Sequence, residues 1–296
     1  MDSIIQKISE AFLKILSAPV KGLLKPCFGS SQLESIIKFL KFAGTGQSRD
    51  FDASQYFDMM NTIFDLLKPV GFALITTFFI IHMIDAVSKD TITLDNFVKS
   101  LIGLVIVISL AANSGQIMTA IFNIGESSID SVYSGITQPD GSSDKSIVDQ
   151  HIDEAAETLT INYGAAAIFL ALILWLMHQI VIIGIDVAAF SRIIDIGWRA
   201  ACMPIGLSNS FEGGVNSSGI RYLKGFIAAV FSGALMLIIC AIGFSLATSL
   251  LNTQLGLVDF VTGGNFWTVM IETAAVQLAT MGAAIAAPAK AKELFS

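Results

Sequence analysis

This sequence predicts an all-α, polytopic membrane helix bundle, on three observations. Apolar residues make up 54% of the 296-residue chain and the mean hydropathy is +0.72, more than a soluble core of this length needs. Five windows, near 66–84, 100–125, 159–185, 225–251 and 273–289, carry no charge except Lys68 at the mouth of the first, and each approaches the roughly 20 helical residues that cross a bilayer core. Within them Leu, Ala, Ile and Phe run without the strict alternation of a membrane barrel. A lipid-embedded backbone must satisfy its own hydrogen bonds, so these windows are helices.

Residues 1–62 read as an amphipathic N-terminal region with a linker, ahead of a transmembrane domain over 63–296. Ile5, Ile8, Phe12, Ile15 and Leu16 share one helical face, and Leu33, Ile36, Ile37 and Leu40 share another. Lys7, Lys14, Lys38 and Lys41 interleave with them, the pattern of helices lying in a membrane interface. A helix packed on the protein's own bundle shows the same periodicity. Asp2 and Glu10 flank the first of these segments, which lacks the continuous apolar region of a cleavable signal. Gly44-Thr45-Gly46-Gln47-Ser48 then breaks the pattern as a turn or linker.

Charge predicts the orientation. Between Glu126 and Glu157 eight acids face the single Lys145, a local imbalance as large as the whole chain's −7. The loop 126–158 therefore belongs outside. The loop 186–224 holds Arg192, Arg199, Arg221 and Lys224 and the tail holds Lys290 and Lys292, so both belong in the cytoplasm. Five crossings then put the N-terminus outside, although seven basic residues precede the first span. Cys27, Cys202 and Cys240 have no metal-ligand spacing. Cys27 is predicted to react with an impermeant maleimide on intact cells, and Cys202 to be protected.

Gly225, Ala229 and Gly233 in the fourth span, and Ala279, Gly282, Ala283, Ala286 and Ala287 in the fifth, recur at spacings that let helices approach closely. His178 lies about 12 Å along the helix from Asp186, which puts an ionisable group near mid-bilayer. Such a group is a candidate functional site, and equally a structural imidazole satisfied by a neighbouring hydroxyl or carbonyl. No HExxH, phosphate loop or dinucleotide fingerprint is present. Gly243-Phe244-Ser245-Leu246 has a serine in a membrane helix but no second glycine, and only His178 and His82 as bases, so neither enzyme activity nor a cofactor or metal is predicted.

The distinctive stretch follows the third span. Phe190–Arg199 continues helically into the cytoplasmic interface, where Asp195 is three residues from Arg192 and four from Arg199, so all three charges can share one face. Pro204 is predicted to end that helix. Trp198 and Tyr222 sit where headgroup anchors do, beside the basic Arg221 and Lys224, a rim that suits lipid anchoring and partner or nucleic-acid contact alike.

The order of a long apolar span, Trp198-Arg199, a loop with Pro204 and then Ser-Gly-Ile-Arg-Tyr-Leu-Lys-Gly-Phe-Ile-Ala over 218–228 resembles the TrbL-type polytopic subunit of type IV secretion systems, in its compact Gram-positive form. The resemblance spans about residues 60–290, judged by the five windows it contains. It implies a homo-oligomeric channel component of the cytoplasmic membrane, with its N-terminus outside, working beside a conjugation ATPase, a coupling protein and other secretion-system membrane subunits. Single-stranded DNA and its relaxase would pass, with transient DNA contact. On this reading Arg192, Asp195, Trp198, Arg199, Pro204, Arg221, Tyr222 and Lys224 are candidate assembly or partner contacts. The alternative is a self-contained small-solute or ion channel or transporter with His178 at its midplane site. The windows hold no interior Lys or Arg, which suits conduction of DNA rather than phosphate binding.

Overall fold

The computed structural model describes residues 17–27, 36, 40, 47–48, 51–52, 54–89, 93–137, 161–208, 210, 217–254 and 266–295. Apart from a two-residue antiparallel pairing of β1 (Gln47–Ser48) with β2 (Phe51–Asp52), the described elements are helical. Seven follow in order: α1 Ser54–Ser88, α2 Leu94–Ala112, α3 Ser114–Thr137, α4 Ile161–Ala201, the single turn α5 Met203–Gly206, α6 Ser218–Gln254 and α7 Phe266–Phe295. The chain is an all-α polytopic membrane protein. Among the described residues four helices are long and apolar enough to cross a membrane: α1, α2, α4 and α6. The 273–289 window lies in α7, whose 30 residues reach about 45 Å. Thr273, Gln277 and Thr280 dilute its apolarity, and all three are buried.

Window 100–125 is not one helix. Thr93 caps α2, its Oγ1 accepting from the Asn96 amide at 3.2 Å, and Asp95 sits in the first turn where the helix dipole favours a carboxylate. At the other end Asn113 Nδ2 donates to the Ser109 carbonyl at 2.8 Å and Ser114 Oγ to the Ala111 carbonyl at 2.7 Å. The Ser109 carbonyl thus takes a second donor besides the Asn113 N–H, the Ser114 hydroxyl takes the Ala111 carbonyl that a continuing helix would use, and α3 restarts one residue on. Residues 126–137, placed in an outer loop by their charge, belong to α3; the rest of the acidic segment, 138–158, lies outside the described residues.

The chain forms two compact units. The first comprises 1–37, 130–188 and 236–286. In it the helical segment 17–24 and the turn Lys25–Cys27 bury Val20, Leu24 and Cys27 while Gly22 and Pro26 are exposed. Cys27 is only 1% exposed, its thiol donates to the Leu23 carbonyl at 3.2 Å, and burial pushes its pKa from 9.0 up to about 12. A buried thiol that holds its proton is a poor nucleophile, which overturns the expected maleimide reactivity. Gly184 faces the Met281 thioether and Gly243 faces Thr280, and a Cβ at either glycine would collide with those side chains. Ala279 and Gly282 are on the exposed side of α7, while Ala287 is buried within the chain.

The second unit comprises 38–129, 189–235 and 287–296. Its core joins Met60 and Phe64 of α1, Met118, Ile121 and Phe122 of α3, Ile193, Ile196, Ala200 and Ala201 of α4, Met203 and Leu207 around α5, and Phe226, Ala229 and Val230 of α6. Phe122 is edge-on to Phe226 with centroids 5.7 Å apart. Beyond this core α1 and α2 pair as an antiparallel hairpin, with Ile75 buried against Val107 and Ala111. Their outward faces carry Ile80, Ile81, Ile84, Leu94, Val105 and Ile106, all exposed, as lipid contact requires.

Candidate functional site

The α4–α5–α6 turn of the second unit holds all but one of the candidate residues. Asp195, Trp198 and Arg199 form one cluster on α4. Arg199 Nε donates to Asp195 Oδ1 at 3.0 Å, Trp198 Nε1 donates to the same oxygen at 2.9 Å, and the guanidinium carbon lies 4.7 Å from the indole centroid. Their i, i+3 and i, i+4 spacings make this local arrangement possible. Trp198 is half exposed and the ion pair largely shielded, so the cluster presents an indole face backed by a paired guanidinium.

Arg192 does not join that cluster. Its side chain is 3% exposed, and its guanidinium donates to the carbonyls of Val230 at 2.7 Å, Ala229 at 3.3 Å and Leu40 at 3.3 Å. Gly233 makes the space: a Cβ there would run into the guanidinium. The expectation that Arg192, Asp195 and Arg199 share one face is thus corrected. A long side chain reaches either way from the same helical position, and here the carbonyls of α6 outcompete a carboxylate already paired to Arg199 and Trp198.

Pro204 does not end α4. The helix stops at Ala201, and Pro204 occupies the first turn of α5, where its missing N–H costs nothing. It is buried on α1: a Cβ at Gly71 would lie 2.7 Å from the Pro204 carbonyl oxygen. Tyr222 uses its hydroxyl inside the protein, donating to the Arg199 carbonyl at 2.5 Å, and its ring covers Gly206. It ties the start of α6 to the end of α4 and is not a headgroup anchor. Arg221 is exposed and Lys224 partly so.

Sequence reasoning missed Tyr56. Its hydroxyl donates to the Ile193 carbonyl at 2.7 Å, and its ring tip sits over Gly197 with no room for a Cβ. The signal was a glycine inside the Phe190–Arg199 helix, where glycine costs about 1 kcal/mol against alanine and so marks a close approach.

His178 lies elsewhere, in the first unit, 3% exposed and beside Gln277 of α7. Gln277 Nε2 donates to the Cys27 carbonyl at 3.3 Å. Among the described residues His178 Nδ1 and Gln277 Oε1 have no hydrogen-bond partner. His178 is nonetheless tied to Gln277 by a side-chain hydrogen bond, which suits a structural imidazole, while the open Nδ1 leaves a functional role available. No group of three or more His, Cys, Asp or Glu capable of holding a metal occurs among the described residues.

The fold is thus a membrane bundle with a closely notched turn between α4 and α6 and a half-exposed indole stacked on a paired guanidinium beside it. No curated protein and no solved structure matches the chain. A family does match, over 45–204, which covers α1 to α4, ends inside α5 and stops short of the Ser218–Ala228 segment that carried the sequence resemblance. The chain belongs to the TrbL/VirB6 plasmid conjugal transfer-like family and is a membrane component of conjugal transfer, type IV secretion, machinery.

Proposed function

We propose that this protein is a structural channel component that helps pass single-stranded DNA and its relaxase across the cytoplasmic membrane, as a homo-oligomer beside a conjugation ATPase and a coupling protein. The observation that carries the reading is the α4–α6 turn. Glycines at 71, 197, 206 and 233 each admit a neighbouring group too closely for a Cβ, which fixes the turn as a rigid platform. On it Trp198 is half exposed and stacks on the shielded guanidinium of Arg199, and Arg221 is exposed on the next helix. Trp and Arg are favoured where one protein docks on another. The 186–224 segment faces the cytoplasm in this reading, where an ATPase would meet it. The protein itself performs no catalysis, and energy for transport comes from a partner.

Arg199→Ala and Arg221→Ala, at normal protein levels, are expected to lower DNA transfer and copurification of the ATPase. Unchanged transfer in the double variant removes the platform from the mechanism. A second reading, a self-contained solute or ion channel, is favoured by the open atoms of His178 and Gln277 alone. Ion flux through purified protein in vesicles, abolished by His178→Ala, would establish it.

A further inference from the structure

We propose that Arg192 is the latch of the N-terminal region: its guanidinium holds the chain at Leu40 on the α4–α6 seam, and yielding that one carbonyl frees the residues before α1 from α4.

An arginine held out of water needs acceptors for the N–H donors of its planar fork. Among the described residues no carboxylate reaches Arg192, and Asp195, one turn on, is already taken by Trp198 and Arg199. Three neutral carbonyls serve instead, and they are not equivalent. Those of Ala229 and Val230 are fixed within α6, whereas the Leu40 carbonyl is delivered by a separate stretch of chain, 152 positions from Arg192. Lys38 and Lys41 are the nearest charges to Leu40 in the sequence, so no adjacent acid accompanies its carbonyl. The tie is a single bond from a cation to a neutral acceptor.

A second tie lies one residue along α4. Tyr56 donates to the Ile193 carbonyl at 2.7 Å, with its ring tip over Gly197, so residues 41–55 leave α4 at Arg192 and return to it at Ile193. The two ends of this closed loop are held unequally. Tyr56 packs against the core that contains Met60 and Phe64 of its own helix, and Leu40, although fully buried, is not one of that core's members. Opening the loop at Tyr56 would strip α1 from the core, while opening it at Leu40 leaves that core in place. The movable end is Leu40, and local opening starts where the fewest core contacts are lost.

Hydrogen exchange of the full-length protein in detergent, read by mass spectrometry peptide by peptide, tests the latch. Arg192→Met keeps the stem and removes the fork. It is expected to speed exchange of the peptide covering Leu40 by about tenfold or more, as losing a bond to a charged group does, while peptides of α1 and α3 exchange as in the parent. Tyr56→Phe removes the other tie and is expected to leave the Leu40 peptide unchanged. Unchanged exchange at Leu40 in Arg192→Met overturns the latch. A rise there matched by α1 and α3 overturns it too, since Arg192 would then support the whole core, and so does an equal rise at Leu40 in Tyr56→Phe. If Arg192→Met does not fold, Arg192→Lys replaces it, with a smaller rise expected at the Leu40 peptide alone; a uniform rise, or none, overturns the proposal.

Discussion

The guanidinium of Arg192 fills the space that a side chain at Gly233 would occupy. Arg192 is bound by carbonyls of α6 and not by a carboxylate, so the α4–α6 contact depends on the absence of one methyl group. Gly233→Ala is therefore expected to destabilise the protein by about 1–3 kcal/mol, the range for an overpacked core. Thermal unfolding in detergent reads the loss, and Arg192→Met in the same chain should recover most of it by removing the fork while keeping the stem. Additive losses in the double variant would show that the two positions do not act on one another.

Asp195 and Arg199 behave differently. Their pair is largely but not fully shielded, and partly exposed ion pairs contribute about 0–1 kcal/mol. Arg199→Ala is expected to change the unfolding temperature little while lowering conjugal transfer by tenfold or more. Arg199→Lys should not restore transfer, since an ammonium does not reproduce the stacking on Trp198. Equal losses of stability and transfer would reduce Arg199 to a folding residue.

His178→Ala is expected to leave transfer within about threefold of the parent, the outcome of losing a modest membrane hydrogen bond of about 0.6 kcal/mol. A mating assay with immunoblotted protein levels checks it, and abolished transfer at normal levels would move function to the His178–Gln277 position.

Cys27 supplies a pH dependence. Its thiol is held up to about 12 in the folded protein against 9.0 ordinarily. A raised folded-state pKa means that stability from this group is fully present below pH 9 and is lost as pH rises from there towards 12. Maleimide labelling of Cys27 should stay slow between pH 7 and 9 in folded protein and become rapid on unfolding. Fast labelling at pH 7 without unfolding would show that the N-terminal segment leaves the bundle.

The membrane helix class was legible because lipid imposes it: an uncharged run of about 20 residues has few other uses. The break at Asn113 was harder to see. Averaging over 100–125 hides three polar or small residues, Asn113, Ser114 and Gly115, whose side-chain chemistry ends one helix and begins another. The Asp195–Arg199 pairing needs only i, i+4 spacing, which a sequence displays. The destination of Arg192 needs Gly233, 41 positions on, and nothing local selects it over Asp195. Tyr56, Gly197, Gly71 and Pro204 are likewise long-range pairs whose members look ordinary until the helices are brought together.

The acceptors for Arg192 also bear on how the chain is made. A guanidinium held out of water is costly unless its donors are paired. Two of its three carbonyls belong to residues 229 and 230 and leave the ribosome only after α4 is complete. A ribosome stalled within the α5 turn would therefore hold a complete α4 whose Arg192 lacks two of its three carbonyl acceptors.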